Sequence, residues 1–475
     1  MAPARMVVGS LWWVTLLLAM QVASSAATAQ DAVTARQLGS PRVMQGPMLG
    51  AAGPHGMTVW ARLNGPFAFR VRYGTDRELR HARWSTEVRA TVEGDWTVRS
   101  SLSGLTPQTR YYYRVQVAGR SDKYLKGRVF SFLTPPADDA PAEFEIAFGS
   151  CARYGEDRVQ PIWAAVERAR PSLFCWLGDN IYGDSTDPAI LAEEYRRQRD
   201  VPGLQPILHS TPQLAVWDDH DFGVNDYDRR HPRKRESLEV FSRYWANPGC
   251  GTEVVPGVFF HHRFGGVDLF FLDIRYHRDP NAMPDGPGKT MLGAGQRAWL
   301  EAELLRSKAP FKVLFSGSGW SAAKGQGGDS WASYMHERDA LFEFIRTKGI
   351  RGVVLASGDT HVAELNCIPW SERGGYDLYD FVSSPLAQRC TDSWLDRKPE
   401  IRIRPVWFGS ESFGVMRFDL RPADPTLEYR ALGPRGEVVI RPLKLRASEL
   451  TNGTRSWDRK IDPIEARRRK LRTVR

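Results

Sequence analysis

Four acids and a histidine fall within ten residues at Trp217-Asp218-Asp219-His220-Asp221-Phe222-Gly223-Val224-Asn225-Asp226. The apolar run Leu214-Ala215-Val216 precedes them, so the stretch reads as a loop leaving the carboxyl end of a short buried strand. Buried carboxylates need a partner or a metal, so this composition suits a site or a solvated turn and not a core. The same placement recurs. Gly149-Ser150-Cys151, Gly178-Asp179-Asn180-Ile181-Tyr182, Asp273-Ile274-Arg275 and Gly358-Asp359-Thr360-His361 each follow an apolar run. One strand-end Asp commonly caps the next helix. Five such ends in register, with Cys, Tyr and His among them, exceed what capping needs. Cys and Tyr suit iron, whereas Asp, Asn and water suit calcium, magnesium or manganese. On a phosphoester such a cluster holds the phosphoryl oxygens, lowers the pKa of a water and aligns it with the leaving group. A carboxylate such as Asp179 is suited to bridging two ions.

Elements that position these residues can be read around them. Phe144–Phe148, Leu173–Leu177, Gln213–Trp217, Val267–Asp273, Lys312–Gly317 and Gly352–Ser357 are predicted strands. Helices are predicted over Gln160–Ala169, Leu191–Arg199, Gly295–Ser307 and Glu337–Lys348, and further β structure over Asp380–Ser383 and Phe413–Leu445. Strands alternating with helices imply an α/β layered domain, here residues 143–445. In an open α/β sheet the carboxyl ends share one edge, which brings the five motifs together. Upstream, residues 38–135 show short alternating segments: Thr58–Arg62, Phe69–Tyr73, Thr97–Arg99, Tyr111–Val117 and Arg128–Phe132. That spacing reads as a small β-sandwich. Leu105 to Tyr113 resembles the fibronectin type III turn that leads into a tyrosine-bearing strand. Pro135 to Pro141 is a stiff linker.

The chain has 475 residues, 42% hydrophobic and 25% charged, with a formal charge of +10, which is ordinary soluble globular composition. Its basic clusters, Arg229–Arg235 and Arg467–Arg475, lack interleaved aromatic residues, so no nucleic-acid partner is expected. Residues 1–29 read as a secretory signal, with Arg5, an apolar run and Ala27-Thr28-Ala29 as the cleavage site. The expected mature chain is therefore periplasmic or extracellular with no stable membrane anchor, and residues 446–475 form a basic tail, partly helical and loosely held. Five cysteines leave at least one unpaired. Cys151 is the candidate free thiol and Cys175 a core residue, while Cys250 has no assigned role. Cys367 and Cys390 flank neighbouring strands, a placement open to a disulfide or to two thiols.

The five motifs, with Leu272-Asp273-Ile274-Arg275-Tyr276 and Ser357 included, together resemble those of the PhoD-like alkaline phosphatases, a branch of the calcineurin-like metallophosphoesterases. The resemblance covers nearly the whole chain. It implies a metallophosphatase β-sheet sandwich flanked by helices, preceded by a fibronectin III-like β-sandwich, an α/β (α+β) fold. It also implies hydrolysis of phosphomonoesters and phosphodiesters at alkaline pH with iron and calcium, other divalent ions being possible. By motif match, Cys151, Asp179, Tyr182 and Asp359 are the iron-side ligands and Asp219 a ligand of the hard cation. His361 is a ligand or its neighbour. His220 contacts the phosphate and can protonate the leaving oxygen. Asn180 and Asn225 are candidates for water or calcium contacts, and Arg275 for the substrate phosphate. The signal lacks the twin arginines of the best-known member. Some members place a terminal helix over the site, whereas here the chain reads as β to Leu445.

Other residues carry competing readings. His209, His261, His262, His277 and His336 lack a motif and read as surface or core residues. Glu364 either steadies the site or faces solvent from a strand. Trp320 and Trp331 either rim the substrate or pack among themselves. Ser316-Gly317-Ser318-Gly319 lacks the glycine two positions before the serine that a nucleophile elbow needs, which disfavours a serine hydrolase. Within the favoured class the substrate is a small-molecule or lipid phosphate ester, and a phospholipase D-like phosphodiesterase is an alternative. From another class, a calcium-dependent adhesion protein with a degenerate enzyme domain is the competitor.

Overall fold

A computed structural model of the chain describes residues 39–118 and 124–473; the expected signal segment lies outside them. Chain order begins with β1 (Val43–Gly53), β2 (Gly56–Leu63), β3 (Ala68–Gly74), β4 (Arg83–Trp84), β5 (Val88–Arg89), β6 (Thr97–Ser103), β7 (Arg110–Ala118) and β8 (Tyr124–Leu133). One sheet has the order β1-β2-β6, and the other β4-β3-β7-β8 with β5 also on β3. Period-two burial builds them: Phe69, Val71 and Tyr73 face inward between half-buried Arg70 and Arg72. Tyr111 Oη accepts the Thr106 N–H at 3.0 Å, closing the turn into β7 in the manner of a tyrosine corner. This sandwich is fastened to the rest of the chain. Trp60 Nε1 donates to Arg243 O at 2.8 Å, Tyr113 Oη to His209 O at 2.8 Å, and Arg196 pairs with Asp95 at 2.9 Å.

Beyond the linker come β9 (Glu143–Gly149), α1 (Ile162–Ala169), β10 (Leu173–Leu177), α2 (Pro188–Arg199), α3 (Gln205–Ser210), β11 (Gln213–Val216), α4 (Asp219–Phe222) and α5 (Lys234–Tyr244). Then follow β12 (Phe260–Phe264), β13 (Val267–Phe271), α6 (Gly293–Arg306), β14 (Lys312–Ser316), α7 (Met335–Thr347), β15 (Val353–Ser357), β16 (Ala363–Ile368) and β17 (Leu378–Ser383). The chain closes with β18 (Ile401–Arg402), β19 (Phe413–Asp419), β20 (Thr426–Leu432), β21 (Val438–Arg446) and α8 (Pro463–Thr473). Two sheets result, ordered β11-β10-β9-β19-β20-β21 and β12-β13-β14-β15-β17-β16-β18. Strands β9, β10 and β11 are mutually parallel, as are β13, β14, β15 and β17, so each sheet has a run of carboxyl ends on one edge. Every residue of β10, β13, β14 and β15 is buried, which is why they read as mostly apolar runs, interrupted only by Asp268 in β13 and by Lys312 and serines at the strand ends. The sheets face each other through aromatic rings: Phe148 meets Phe315 at 6.2 Å and Phe381 stacks on Tyr429 at 4.4 Å. Burying each such ring stabilises the sandwich by about 1.5–3 kcal/mol. That reserve allows its rim to hold charges that a smaller core could not tolerate.

One expectation is corrected, and three open alternatives are decided. The terminal tail is anchored and not loosely held: Ser456 N and Trp457 N donate to Asp377 Oδ2 at 2.6 and 3.0 Å, and Asp462 N donates to Ile403 O at 2.9 Å. Arginines dominate the tail's composition and hide the buried Trp457 and Asp462 that hold it. Helix α8 contacts the strip around β18, with Arg469 donating to Glu400 O at 3.0 Å. Second, Cys367 and Cys390 are both free thiols, like the other three cysteines, with Cys367 in the core of β16. Third, Trp320 and Trp331 do not rim a substrate site; they are fully buried and stack on each other at 4.4 Å. Glu364 is likewise buried, against Arg402 at 3.2 Å, and does not face solvent. No helix among the described residues is long and apolar enough to cross a membrane.

Candidate metal centre

The carboxyl ends of β9, β10, β11 and β15 lead directly into Cys151, Asp179, Asp219 and Asp359. Backbone bonds tie these loops together: Cys151 N donates to Gly178 O at 3.3 Å and Ala152 N to Asp179 O at 2.9 Å. Across the sandwich, Asp359 N donates to Ser150 Oγ at 3.0 Å. The approach is so close that a Cβ on Gly358 would lie 2.4 Å from Ser150 Oγ. Asp221 is the strut behind the opening motif. Its Oδ2 accepts from Asn180 N at 3.1 Å and Asp218 N at 3.2 Å, and its Oδ1 from Tyr195 Oη at 2.9 Å. Cys151, Asp179, Asp359 and His361 all take left-handed backbone, with φ of 61°, 48°, 67° and 55°. Non-glycine residues adopt that region at a cost, and such strain gathers where a surrounding structure aims side chains at a site.

The side chains form a buried floor and a more open rim. Cys151 is 0%, Asp179 2% and Asp219 4% exposed, while Tyr182, His220, Asp359 and His361 are half-buried. Cys151 Sγ and Tyr182 Oη each lie 3.4 Å from Asp179 Oδ2, and Tyr182 Oη lies 3.4 Å from His361 Nε2. Asp179, Asp219 and His220 each offer a ligand atom within 4.8 Å of the others. His220 Nδ1 is held by Asp184 Oδ1 and its ring packs 4.2 Å from that of Tyr182. Lys324 forms an ion pair with the Asp359 carboxylate and donates to Asp329 O at 3.1 Å.

Burial, then the charges of Cys151 and Asp219, hold Asp179 well above the usual carboxylate range. Burial and then Asp359 push the Cys151 thiol up to about 11. Asp219 goes the other way: burial raises it, but Arg275 and then His220 outweigh that and hold it low. Burial disfavours the His220 imidazolium, yet the Asp179 charge and the Asp184 hydrogen bond raise it to about 10. Asp179 Oδ1 and Asn180 Oδ1 are buried with no hydrogen-bond partner among the described residues. A buried, electron-rich cluster with two orphaned oxygens, a thiol, a phenol and an imidazole fits metal cations. The neighbouring trio Asp218, Asp219 and Asp329 also has metal-ligand spacing, but guanidinium groups already occupy it.

Of the residues singled out in the sequence, Cys151, Asp179, Tyr182, Asp219, His220 and His361 therefore stand around one centre, with Asp359 at its edge against Lys324. Asn180 lies beside it; its Nδ2 donates to Val216 O at 2.8 Å, leaving Oδ1 for the site. Asn225 is exposed and bonds to none of the others among the described residues. Arg275 is the main correction. It is fully buried, with Nε on Asp218, Nη2 2.5 Å from Asp329 and 3.5 Å from Asp219, so its donors are committed to carboxylates and not to substrate. Asp273 is a structural cap, accepting from Trp217 Nε1, Arg275 N, Tyr276 N and Val258 N at 2.8–2.9 Å. Sequence reasoning missed Asp184, Lys324 and Asp329. Asp184 was within reach, two positions after Tyr182; Lys324 and Asp329 sit in a glycine-rich loop, eight or more residues beyond the end of β14 (Lys312–Ser316) and so away from the strand end that marks the other site residues.

Comparison with known proteins gives the family and the fold. The profile of the PhoD-like phosphatase family matches residues 146–442, and that of the PhoD-like phosphatase N-terminal domain matches residues 26–131. Alkaline phosphatase D of Bacillus subtilis (strain 168) is 26% identical over 397 residues, 71% of this chain and 66% of the relative, so the chain spans just under two thirds of that protein. The solved structure of PhoD superposes with a TM-score of 0.69 at 19% identity, covering 90% of this chain and 98% of that one. Purple acid phosphatase PPD1 from yellow lupin (Lupinus luteus) seeds gives 0.58 at 12% identity, covering 86% and 74%. At those identities the two structures share the fold.

Proposed function

This chain belongs to the PhoD-like phosphatase family, and from that premise we propose that it is an exported, metal-dependent phosphoesterase acting on phosphomonoesters, phosphodiesters or both through attack of water on phosphorus. The observation that carries the reading is the buried Asp179 carboxylate, orphaned at Oδ1 and flanked by Cys151, Tyr182, Asp219 and His220. Cys151, Tyr182 and Asp179, with His361 beside them, are suited to iron; Asp219 and the Asn180 carbonyl oxygen are suited to calcium or another hard cation. When bound, such ions supply Lewis-acid stabilisation of phosphoryl charge and acidify water.

The chain's own groups do the rest. Asp184 fixes the His220 ring through Nδ1, which leaves Nε2 as the nitrogen that meets a phosphoryl oxygen or gives a proton to the leaving oxygen. The Asp179 charge and the Asp184 hydrogen bond both favour the protonated His220 ring, the form that can donate. Lys324 balances Asp359 at the rim, and Asp221 holds the Asn180 and Asp218 backbones in place behind it. Against a degenerate, adhesive domain stands the fact that every candidate position on the floor carries a metal-competent side chain.

Elemental analysis of the purified protein, paired with hydrolysis of 4-nitrophenyl phosphate and bis(4-nitrophenyl) phosphate, tests the reading. Asp179→Asn is expected to lose bound metal and hydrolysis of both esters together while keeping its circular-dichroism spectrum. A variant that retains hydrolysis at the parent rate would overturn the assignment.

A further inference from the structure

Beside the metal centre the surface sinks into a cleft of about 400 Å³ whose lining includes Arg153, Tyr154, Arg158, Glu194, Arg197 and Tyr182 itself. Arg197 is committed, with Glu194 at 2.6 Å and Glu193 at 3.2 Å. Arg153 and Arg158 are not. The Arg153 guanidinium sits 5.1 Å over the Tyr182 ring and that of Arg158 sits 5.7 Å over Tyr154, and neither has a carboxylate partner among the described residues. Of the nearby acids, Glu156 pairs with Arg389 at 2.6 Å, and Asp157 Oδ1 accepts the Val159 N–H at 2.8 Å. The two guanidinium groups are thus held by aromatic faces with their donors free, an arrangement suited to recognising phosphate.

Tyr182 connects this cleft to the chemistry. Its hydroxyl lies 3.4 Å from both Asp179 and His361, while its ring face carries Arg153. A ligand with one phosphate at the metal centre therefore has a cationic wall a single aromatic ring away. We propose that Arg153 and Arg158 bind a second phosphate of the substrate, so that the preferred substrates are phosphate esters carrying a further phosphate. The inference rests on the phosphoesterase reading above and adds specificity to it.

Two esters with the same leaving group separate the possibilities: thymidine 5′-(4-nitrophenyl phosphate) and its 3′-phosphorylated form. The parent protein should favour the 3′-phosphorylated ester in kcat/KM by about tenfold, the scale of one charge-assisted phosphate contact at a partly exposed site. In R153Q/R158Q that ratio should fall towards one, and in R158Q, which keeps the cation over Tyr182, it should fall part of the way. Equilibrium binding of thymidine 3′,5′-bisphosphate against thymidine 5′-phosphate gives the same ratio without turnover, and thymidine 5′-diphosphate shows whether an anhydride-linked phosphate serves as well as an ester-linked one. A ratio near one in the parent protein, or one unchanged in the double variant, overturns the inference. Failure to hydrolyse either nitrophenyl ester counts instead against the phosphoesterase reading, and the binding ratio still decides the cleft.

Discussion

Replacing Arg275 by Met should damage the fold more than it damages substrate binding. The guanidinium is wholly buried and neutralises Asp218, Asp219 and Asp329, with a further 3.4 Å contact to Tyr227 O. Breaking a buried ion pair by removing one partner costs about 3–5 kcal/mol, because the other charge is stranded. Two features place this case at the lower end of that range. Asp329 keeps Arg278 at 2.5 Å. Asp218, raised by burial and lowered again by Arg275, already lies at about 8 and becomes neutral once its cation is gone. A loss of about 3 kcal/mol in a chain of this size lowers the melting temperature by roughly 6 °C. The deficit should grow with rising pH, because losing the guanidinium raises the Asp218 carboxyl further, and a raised carboxyl costs stability as pH climbs through its folded-state value. Melts followed by circular dichroism from pH 5 to pH 9, with KM for 4-nitrophenyl phosphate measured on the folded fraction, check this. An unchanged melting temperature with KM raised tenfold and kcat preserved would refute the reasoning and make Arg275 a phosphate contact.

Gly358→Ala should separate the two sheet edges, since the new Cβ meets Ser150 Oγ at 2.4 Å and Leu177 O at 3.1 Å. A cost of about 1–3 kcal/mol and loss of hydrolysis are expected, with Ser150→Gly restoring part of the lost melting temperature. Asp95→Asn tests the join between the sandwich and the catalytic domain. Burial raises the Asp95 carboxyl, but hydrogen bonds from Arg62 and Tyr244 and the charge of Arg196 outweigh it and hold it low. Its contribution is therefore complete above about pH 4 and is lost as pH falls through the depressed value. The variant should be less stable by about 1–3 kcal/mol at pH 7 in urea titrations and match the parent in strong acid.

The layered fold and most of the candidate site were legible because both follow from strand ends. Buried parallel strands leave apolar runs, and polar residues immediately after them have one edge to occupy. That logic placed Cys151, Asp179 and Asp219 together, with Asp359 at their edge, without any knowledge of strand order. It failed where the same letters serve different ends. Asp273 and Arg275 also follow a strand, yet Asp273 caps local backbone and Arg275 turns inward. What decides the direction of Arg275 is Asp329, 54 positions away in a loop with no periodic pattern. Helix α5 was hidden by its basic start, although Val240, Phe241 and Tyr244 give it a buried face. Strand β12 was hidden because His261, His262 and Arg263 break its apolar run.

Lys324 shows why a charge cluster is harder to read than a fold. The floor gathers acids at a density that no helix cap requires, so something must offset their mutual repulsion. The protein uses fixed cations on one side: Arg275 and Arg278 on Asp329, Arg275 on Asp218, Lys324 on Asp359. These pairs leave Asp179 as the floor carboxylate with an orphaned oxygen and no arginine or lysine partner among the described residues. On the proposed reading, the built-in cations select which acids remain for an exchangeable ion, and they do so from loops whose sequence gives no periodic clue. On that reading the motifs name the acids that could hold metal, and the cations around them determine which of those acids are available to do so.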